Sequence, residues 1–256
     1  MHFGICGGLE LAFIAAQAGF DYFEWTVGDF LQPRDGRDAF QNALKRVKNA
    51  PLPCPVLNCF IPSDLKITGP EACRAILEKY VATVFQRAES AGVKLIVFGS
   101  GGARRVPDGF GRAKAWDQIV SFCRMAAPLA EEHGLSLAAE PLHRRECNIL
   151  TSAGEAAALV REVAHPALGL LVDSYHWFEE GDSPADIVEN GRLLRHVHVA
   201  TSPNRLAPGA ETCDLTVFFT ALHQAGYDQR VSFEGSLRDP HLELPSALAV
   251  MRELAG

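Results

Sequence analysis

The chain has 256 residues, of which 48% are hydrophobic and 21% charged, and a formal net charge of −7. That length suits one large domain or two small ones, and the composition is that of a globular protein rather than a disordered or fibrous one. The acidic balance, with no clustered Lys/Arg face, argues against a sequence-independent nucleic-acid binder, because such affinity comes from neutralising phosphates.

In chain order, an apolar run at 2–6 reads as the first strand and leads into G-I-C-G-G-L-E, which lacks the full G-x-G-x-x-G dinucleotide fingerprint. The second strand, at 21–25, lies in A-G-F-D-Y-F-E-W, and the third spans 54–59. Gly69-Pro70 marks the start of a helix over E-A-C-R-A-I-L-E-K-Y-V-A-T-V-F. Strands at 94–98 and 135–140 follow in A-G-V-K-L-I-V-F-G and H-G-L-S-L-A-A-E-P, and Ser152 with Glu155 forms a capping box for the next helix. A strand at 168–173 in A-L-G-L-L-V-D-S precedes a helix start at Ser183-Pro184. A strand at 195–199 and a helix start at Asp214 lead to the last strand, 230–234, in A-G-Y-D-Q-R-V-S-F-E-G. The recurrent glycine before each run closes the preceding helix.

Eight strands alternating with helices, about one unit per 30 residues, suggest a closed α/β architecture. Runs such as L-I-V-F and L-G-L-L-V fit parallel strands buried on both faces, and no composition shift marks a boundary. The expected fold is a single-domain (β/α)8 TIM barrel over 1–256, with a doubly wound open sheet as the alternative.

Seven cysteines (Cys6, Cys54, Cys59, Cys73, Cys123, Cys147, Cys213), odd in number and without a C-x-x-C pair, indicate reduced thiols rather than a disulfide framework or zinc cluster. The apolar N-terminus has no basic n-region, carries Glu10 and sustains no spanning-length run, so the cytoplasm is the expected location, with no membrane partner.

In such a barrel the chemistry sits at the C-terminal strand ends. Taken in order these ends are Cys6, Glu24, Asn58, Ser100, Glu140, Asp173, His198 and Glu234. A lone carboxylate there is commonly a cap or a surface pair. Glu140, Asp173, His198 and Glu234, however, end four successive strands and would crowd three carboxylates and an imidazole around one axis. Like charges brought together in a protein interior require a neutralising cation, so a divalent metal is the simplest account. Three oxygen donors and one nitrogen suit a hard ion; Mn2+ is the expected one, and ligand type leaves Mg2+, Co2+ and Zn2+ open. Two free positions on an octahedral ion would chelate a hydroxy-ketone and polarise its carbonyl, which is isomerase chemistry. His198, last on its strand, is expected at the metal, and His196, one layer deeper, in a hydrogen-bonded core role.

Several segments resemble the xylose isomerase-like superfamily of sugar isomerase and epimerase barrels, especially its ketose 3-epimerase and hydroxypyruvate isomerase branch. They are E-P-L-H-R-R-E (Glu140–Glu146), V-D-S-Y-H (Val172–His176), H-V-H followed by N-R-L-A-P-G through Gly209, and F-E-G at Glu234, with N-C-F-I-P and F-G-S-G-G as weaker ones. The resemblance implies metal binding by Glu140, Asp173, His198 and Glu234, with Glu140 and Glu234 as the acid/base pair on opposite faces of the substrate. By the same resemblance His176 and Arg205 would hydrogen-bond substrate oxygens, and Glu146 would support His176 or the substrate. The chain departs from the pattern by one extra residue between His198 and Arg205, with Pro203 as the insertion, and by P-G-A-E in place of P-G-x-G.

His143 stands where these epimerases often have Asn and is left without a role. Arg104 and Arg105 read as a surface pair, with an anion-holding role as the alternative; Glu24 and Trp25 would line the pocket floor and wall, with core packing as the stronger reading for Trp25. The expected activity is metal-dependent isomerisation or epimerisation of a ketose or small hydroxy-keto compound through an enediolate. The expected partner is a small sugar or keto acid, and self-association stays open. The competing readings are a dehydratase or lyase on the same barrel and a non-catalytic sugar-binding protein. A DNA-repair endonuclease is disfavoured because Asn58 and Ser100 stand where such enzymes need histidines.

Overall fold

A computed structural model describes residues 1–256. Eight parallel strands close on themselves in sequence order: β1 (His2–Cys6), β2 (Tyr22–Thr26), β3 (Val56–Asn58), β4 (Leu95–Phe98), β5 (Ser136–Ala139), β6 (Leu168–Asp173), β7 (Leu194–Val199) and β8 (Arg230–Phe233). The ring shuts where β1 pairs with β8, placing Ile5 opposite Phe233. Each expected strand is present within two residues of its predicted ends, and the barrel, not the open sheet, is the fold. No helix is long and apolar enough to cross a membrane.

Strand parity sorts the interior. Ile96 and Phe98 of β4 join the 74-residue cluster between barrel and helices, whereas Leu95 and Val97 join Tyr22, Val56, Ala138 and Leu171 in a separate cluster of 6 inside the ring. Two residues further along each strand, the same inward face carries Glu24, Asn58, Glu140 and Asp173. The ring is therefore plugged by apolar side chains low down and turns polar toward the C-terminal rim. Gly4 belongs to this packing, since a Cβ there would lie 2.2 Å from the Tyr22 ring.

Helix ends follow the expected signals at most positions. Ser152 accepts the Glu155 N–H at 3.1 Å, while the Glu155 carboxylate takes the Thr151 N–H at 2.8 Å, a capping box shifted by one residue. Ser183 caps its helix through the Ala185 N–H at 3.2 Å, and Gly19, Gly92, Gly134 and Gly226 follow helices with positive φ. Two expectations fail. The helix predicted from Pro70 begins at Arg74, because Gly69 is pinned to Gln118 of the neighbouring helix by hydrogen bonds of 2.7 Å and 3.0 Å that hold the intervening residues in turns. Gly169 closes no helix: Ala164 ends Ala153–Val163, and Gly169 sits within β6, where a Cβ would lie 2.8 Å from the Leu193 carbonyl oxygen.

Candidate metal and substrate site

The rim of the second half of the barrel brings Glu140, Asp173, His198 and Glu234 together, with one ligand atom from each lying within 4.8 Å of the others. His198 Nδ1 stands 3.1 Å from Glu140 Oε1 and 3.1 Å from Glu234 Oε2. Gly99 at the end of β4 leaves the room for this, since a Cβ there would meet Glu140 Oε2 at 2.2 Å. Asp173 divides its oxygens: Oδ1 accepts the Tyr175 N–H at 2.8 Å, capping helix Ser174–Glu180, and Oδ2 lies 3.2 Å from Arg205 Nη2.

Beneath the rim, Glu24 is fully buried and receives both β7 histidines, His198 Nε2 on Oε1 at 3.0 Å and His196 Nε2 on Oε2 at 2.8 Å. Ser232 donates to the same Oε2 at 2.7 Å and lies 2.9 Å from the Tyr22 hydroxyl. Glu24 is thus an anchor one layer below the rim, where Thr26 takes the corresponding inward position on β2. With Nε2–H directed at Glu24, the His198 Nδ1 faces the carboxylates as a donor atom, the arrangement that orients metal-binding imidazoles.

Burial and neighbouring charges oppose one another at these groups. Burial alone lowers the His198 pKa, yet Glu24 and Glu234 hold it well above the ordinary histidine range. Burial raises the Glu140 carboxyl and takes Asp173 up to about 6 despite Arg205. At Glu234 burial also pushes upward but is outweighed by His198 and Arg205, which bring it down to about 2. Burial pushes His176 down to about 4. Carboxylates converging on one nitrogen favour positive charge there, which a protonated His198 or a divalent cation on the Nδ1 side would supply, and the donor set of three carboxylates and one imidazole fits a hard or borderline ion.

A cavity of about 490 Å3 opens above these groups and is lined by Glu140, Glu234, Glu146, His176 and Arg205, all five from the expected set. Arg205 has positive φ (51°) and lies 2.7 Å from Glu234 Oε2, with its guanidinium 5.0 Å above the Tyr175 ring. Glu146 Oε2 is 4.0 Å from His176 Nε2. From the other half of the barrel come Thr26, Cys59, Ser63 and Ser100; the Ser100 hydroxyl accepts the Ile61 N–H at 2.9 Å. Trp25 stacks on Phe30 at 5.9 Å, a packing role.

The surface reading of Arg104 is wrong. Its side chain is fully buried, Nη2 donates to the Glu140 carbonyl at 2.8 Å, and the guanidinium lies 5.7 Å from the Phe98 ring centre. It fixes the backbone from which Glu140 projects. Arg105 is exposed and reaches the Arg145 and Glu146 carbonyls, each at 3.3 Å. Sequence reading missed the Glu24 anchor and the Tyr175 platform; the signal for Tyr175 was its place between Asp173 and His176.

A family model described as a xylose isomerase-like TIM barrel matches residues 13–254. The chain belongs to that family. This xylose isomerase-like barrel is 36% identical to the ketose 3-epimerase of Arthrobacter globiformis over 109 residues, which cover 42% of this chain and 37% of the relative. It is 32% identical to a putative hydroxypyruvate isomerase of Mus musculus over 142 residues, 52% of this chain and 51% of the relative. The chain thus spans about half or less of the length of these curated relatives. Its fold superposes on D-psicose 3-epimerase from Clostridium cellulolyticum H10, solved with D-tagatose, with a TM-score of 0.87 at 20% identity, covering 100% of this chain and 99% of that one.

Proposed function

We propose that this barrel is a divalent-metal-dependent epimerase or isomerase acting on a ketose or small hydroxy-keto compound, with Glu140 and Glu234 moving the protons. The observation that carries this reading is the pair of carboxylates meeting at one His198 nitrogen, each 3.1 Å away, at the floor of a cavity large enough for a monosaccharide. Named relatives that are ketose 3-epimerases and putative hydroxypyruvate isomerases support the same class of substrate.

Glu140, Asp173, His198 and Glu234 would hold the cation, and Mn2+ suits their donor set. When bound, it supplies Lewis-acid polarisation of the substrate carbonyl, which acidifies the adjacent C–H. Glu140 projects from β5 and Glu234 from β8, so a planar substrate lying between them presents one face to each. One carboxylate removes the proton beside the carbonyl, and the other group, present as the carboxylic acid, gives its proton to the opposite face; the two exchange roles in the reverse direction. Arg205 and His176 orient substrate oxygens, and the Arg205 guanidinium adds positive charge where oxygen charge develops. Glu24, by holding the His198 ring, keeps Nδ1 aimed between the two carboxylates.

The test is solvent exchange. A panel of pentuloses, hexuloses and hydroxypyruvate is incubated with protein and Mn2+ in deuterated water. The expected result is deuterium on the carbon beside the carbonyl, abolished by chelator and restored by Mn2+. No exchange with any member while metal is bound would overturn the reading.

A further inference from the structure

The loop after β7 carries Arg205 and departs from the family pattern twice, at Pro203 and at Glu211 of P-G-A-E. The two departures meet in space. Glu211 Oε1 accepts the Asn204 N–H at 3.2 Å and the Thr201 hydroxyl, while Oε2 accepts the Asn204 side-chain amide at 2.6 Å. One carboxylate thus spans the inserted residue and grips the chain on both sides of it. The turn over Ala207–Ala210, closed by the Ala210 N–H on the Ala207 carbonyl at 2.9 Å, brings Glu211 back to this place. Arg205 needs such support: its φ of 51° is a left-handed conformation that a residue bearing a side chain keeps only when its neighbours hold it. Its carbonyl is held from β8, where the Ser236 N–H donates to it at 2.8 Å and a Cβ on Gly235 would meet it at 2.5 Å. On the other side the Thr201 N–H bonds the Leu206 carbonyl at 3.0 Å, and the Leu206 N–H bonds the Thr201 hydroxyl at 3.0 Å. Asn204, directly before Arg205, is hydrogen-bonded by Glu211 alone.

We infer that Glu211 is a positioning residue that, through Asn204 and Thr201, fixes the Arg205 guanidinium between Glu234, Asp173 and the Tyr175 ring. Glu211 does not line the cavity, so it acts on substrate only through Arg205, and its effect on turnover rests on the proposed role of Arg205 at substrate oxygens. All three of its donors are neutral, so the loop needs the hydrogen-bond pattern rather than the charge. In Glu211→Gln the amide oxygen would take the Thr201 hydroxyl and the Asn204 N–H, and the amide NH2 would donate to the Asn204 oxygen once that side-chain amide turns over. In Glu211→Ala nothing replaces these bonds, while the ties from Ser236 and from Ser202 to Glu179 keep the loop in the fold.

The test has two arms, with circular dichroism confirming each variant's fold. The first reads the Arg205 Nε–H resonance of isotope-labelled protein, assigned by its loss in Arg205→Ala. With Nε–H on the Glu234 carbonyl at 3.3 Å and the guanidinium 5.0 Å from the Tyr175 ring centre, this resonance should stand apart from those of exposed arginines. Glu211→Ala should return it to the exposed position and Glu211→Gln should leave it in place; an unmoved resonance in Glu211→Ala overturns the inference. The second arm is solvent exchange with whichever substrate the wild type labels. Glu211→Ala should lower kcat/KM about 10-fold, the cost of a misplaced binding group, and Glu211→Gln less than about 2-fold. In an Arg205→Ala background Glu211→Ala should add no further loss, because two residues acting as one unit are not additive. Full additivity would place the action of Glu211 elsewhere and overturn the inference. If the wild type labels no substrate, the proposed function fails, and the resonance alone decides for or against Glu211.

Discussion

The two halves of the barrel rim are built alike and furnished differently. On β1 to β4 the last inward positions are Cys6, Thr26, Asn58 and Gly99, all uncharged at neutral pH; on β5 to β8 they are Glu140, Asp173, His198 and Glu234. Each strand end points at the same axis, so nothing in the scaffold favours one side. The asymmetry teaches that charged groups converging on one point need a neighbour to balance their charge, whereas the opposite wall needs only shape and hydrogen bonds. The neutral side also makes room: Gly99 yields the volume that the Glu140 carboxylate occupies.

Removing one of the two proposed proton-moving carboxylates from the charged half should break this contrast most severely. Glu140→Gln and Glu234→Gln are each expected to slow solvent exchange by about 10²–10⁴-fold while the far-ultraviolet circular dichroism stays native. Glu24→Gln strikes below the rim. It leaves two buried histidines without their carboxylate, a loss of about 3–5 kcal/mol in urea unfolding, and should weaken Mn2+ binding about 10–100-fold by titration calorimetry. Adding Mn2+ at about 100 times its dissociation constant should stabilise the wild type by about 2.7 kcal/mol, read as a rise in melting temperature that Asp173→Asn abolishes. Arg104→Met joins the halves in the other direction. It removes the donor to the Glu140 carbonyl and should cost about 1–3 kcal/mol by denaturant titration, with a lower exchange rate because Glu140 is less firmly placed. On the neutral side, Ser100→Ala leaves the Ile61 N–H without its acceptor and should cost about 1 kcal/mol in the same assay.

The charged half was the legible one. Each of its four residues ends a strand whose alternate positions are apolar, with His196 and Ser232 interrupting β7 and β8, so strand parity directs it inward at the rim, and the polar break is visible in the sequence. The neutral half was read less well, because glycine and serine at F-G-S-G look like a turn whichever one faces the axis. Glu24 was recognised as an inward residue, but its partners His196 and His198 lie 172 and 174 residues away, and no local pattern reveals such pairings. Arg104 misled for a related reason. An arginine pair after a glycine turn reads as solvated, and only the folded chain brings the Glu140 carbonyl against it. The start of helix Arg74–Ala91 was likewise decided by Gln118, on another helix.

Asp173 gives one oxygen to the Tyr175 amide and turns the other toward Arg205. The short helix that carries Tyr175 and His176 is therefore tethered to the carboxylate by a single shared group, and a drift of that helix would swing the second oxygen with it. One extra methylene, as in glutamate, would let the two ends move apart, so the brevity of aspartate is what keeps the aromatic platform and the carboxylate cluster in step.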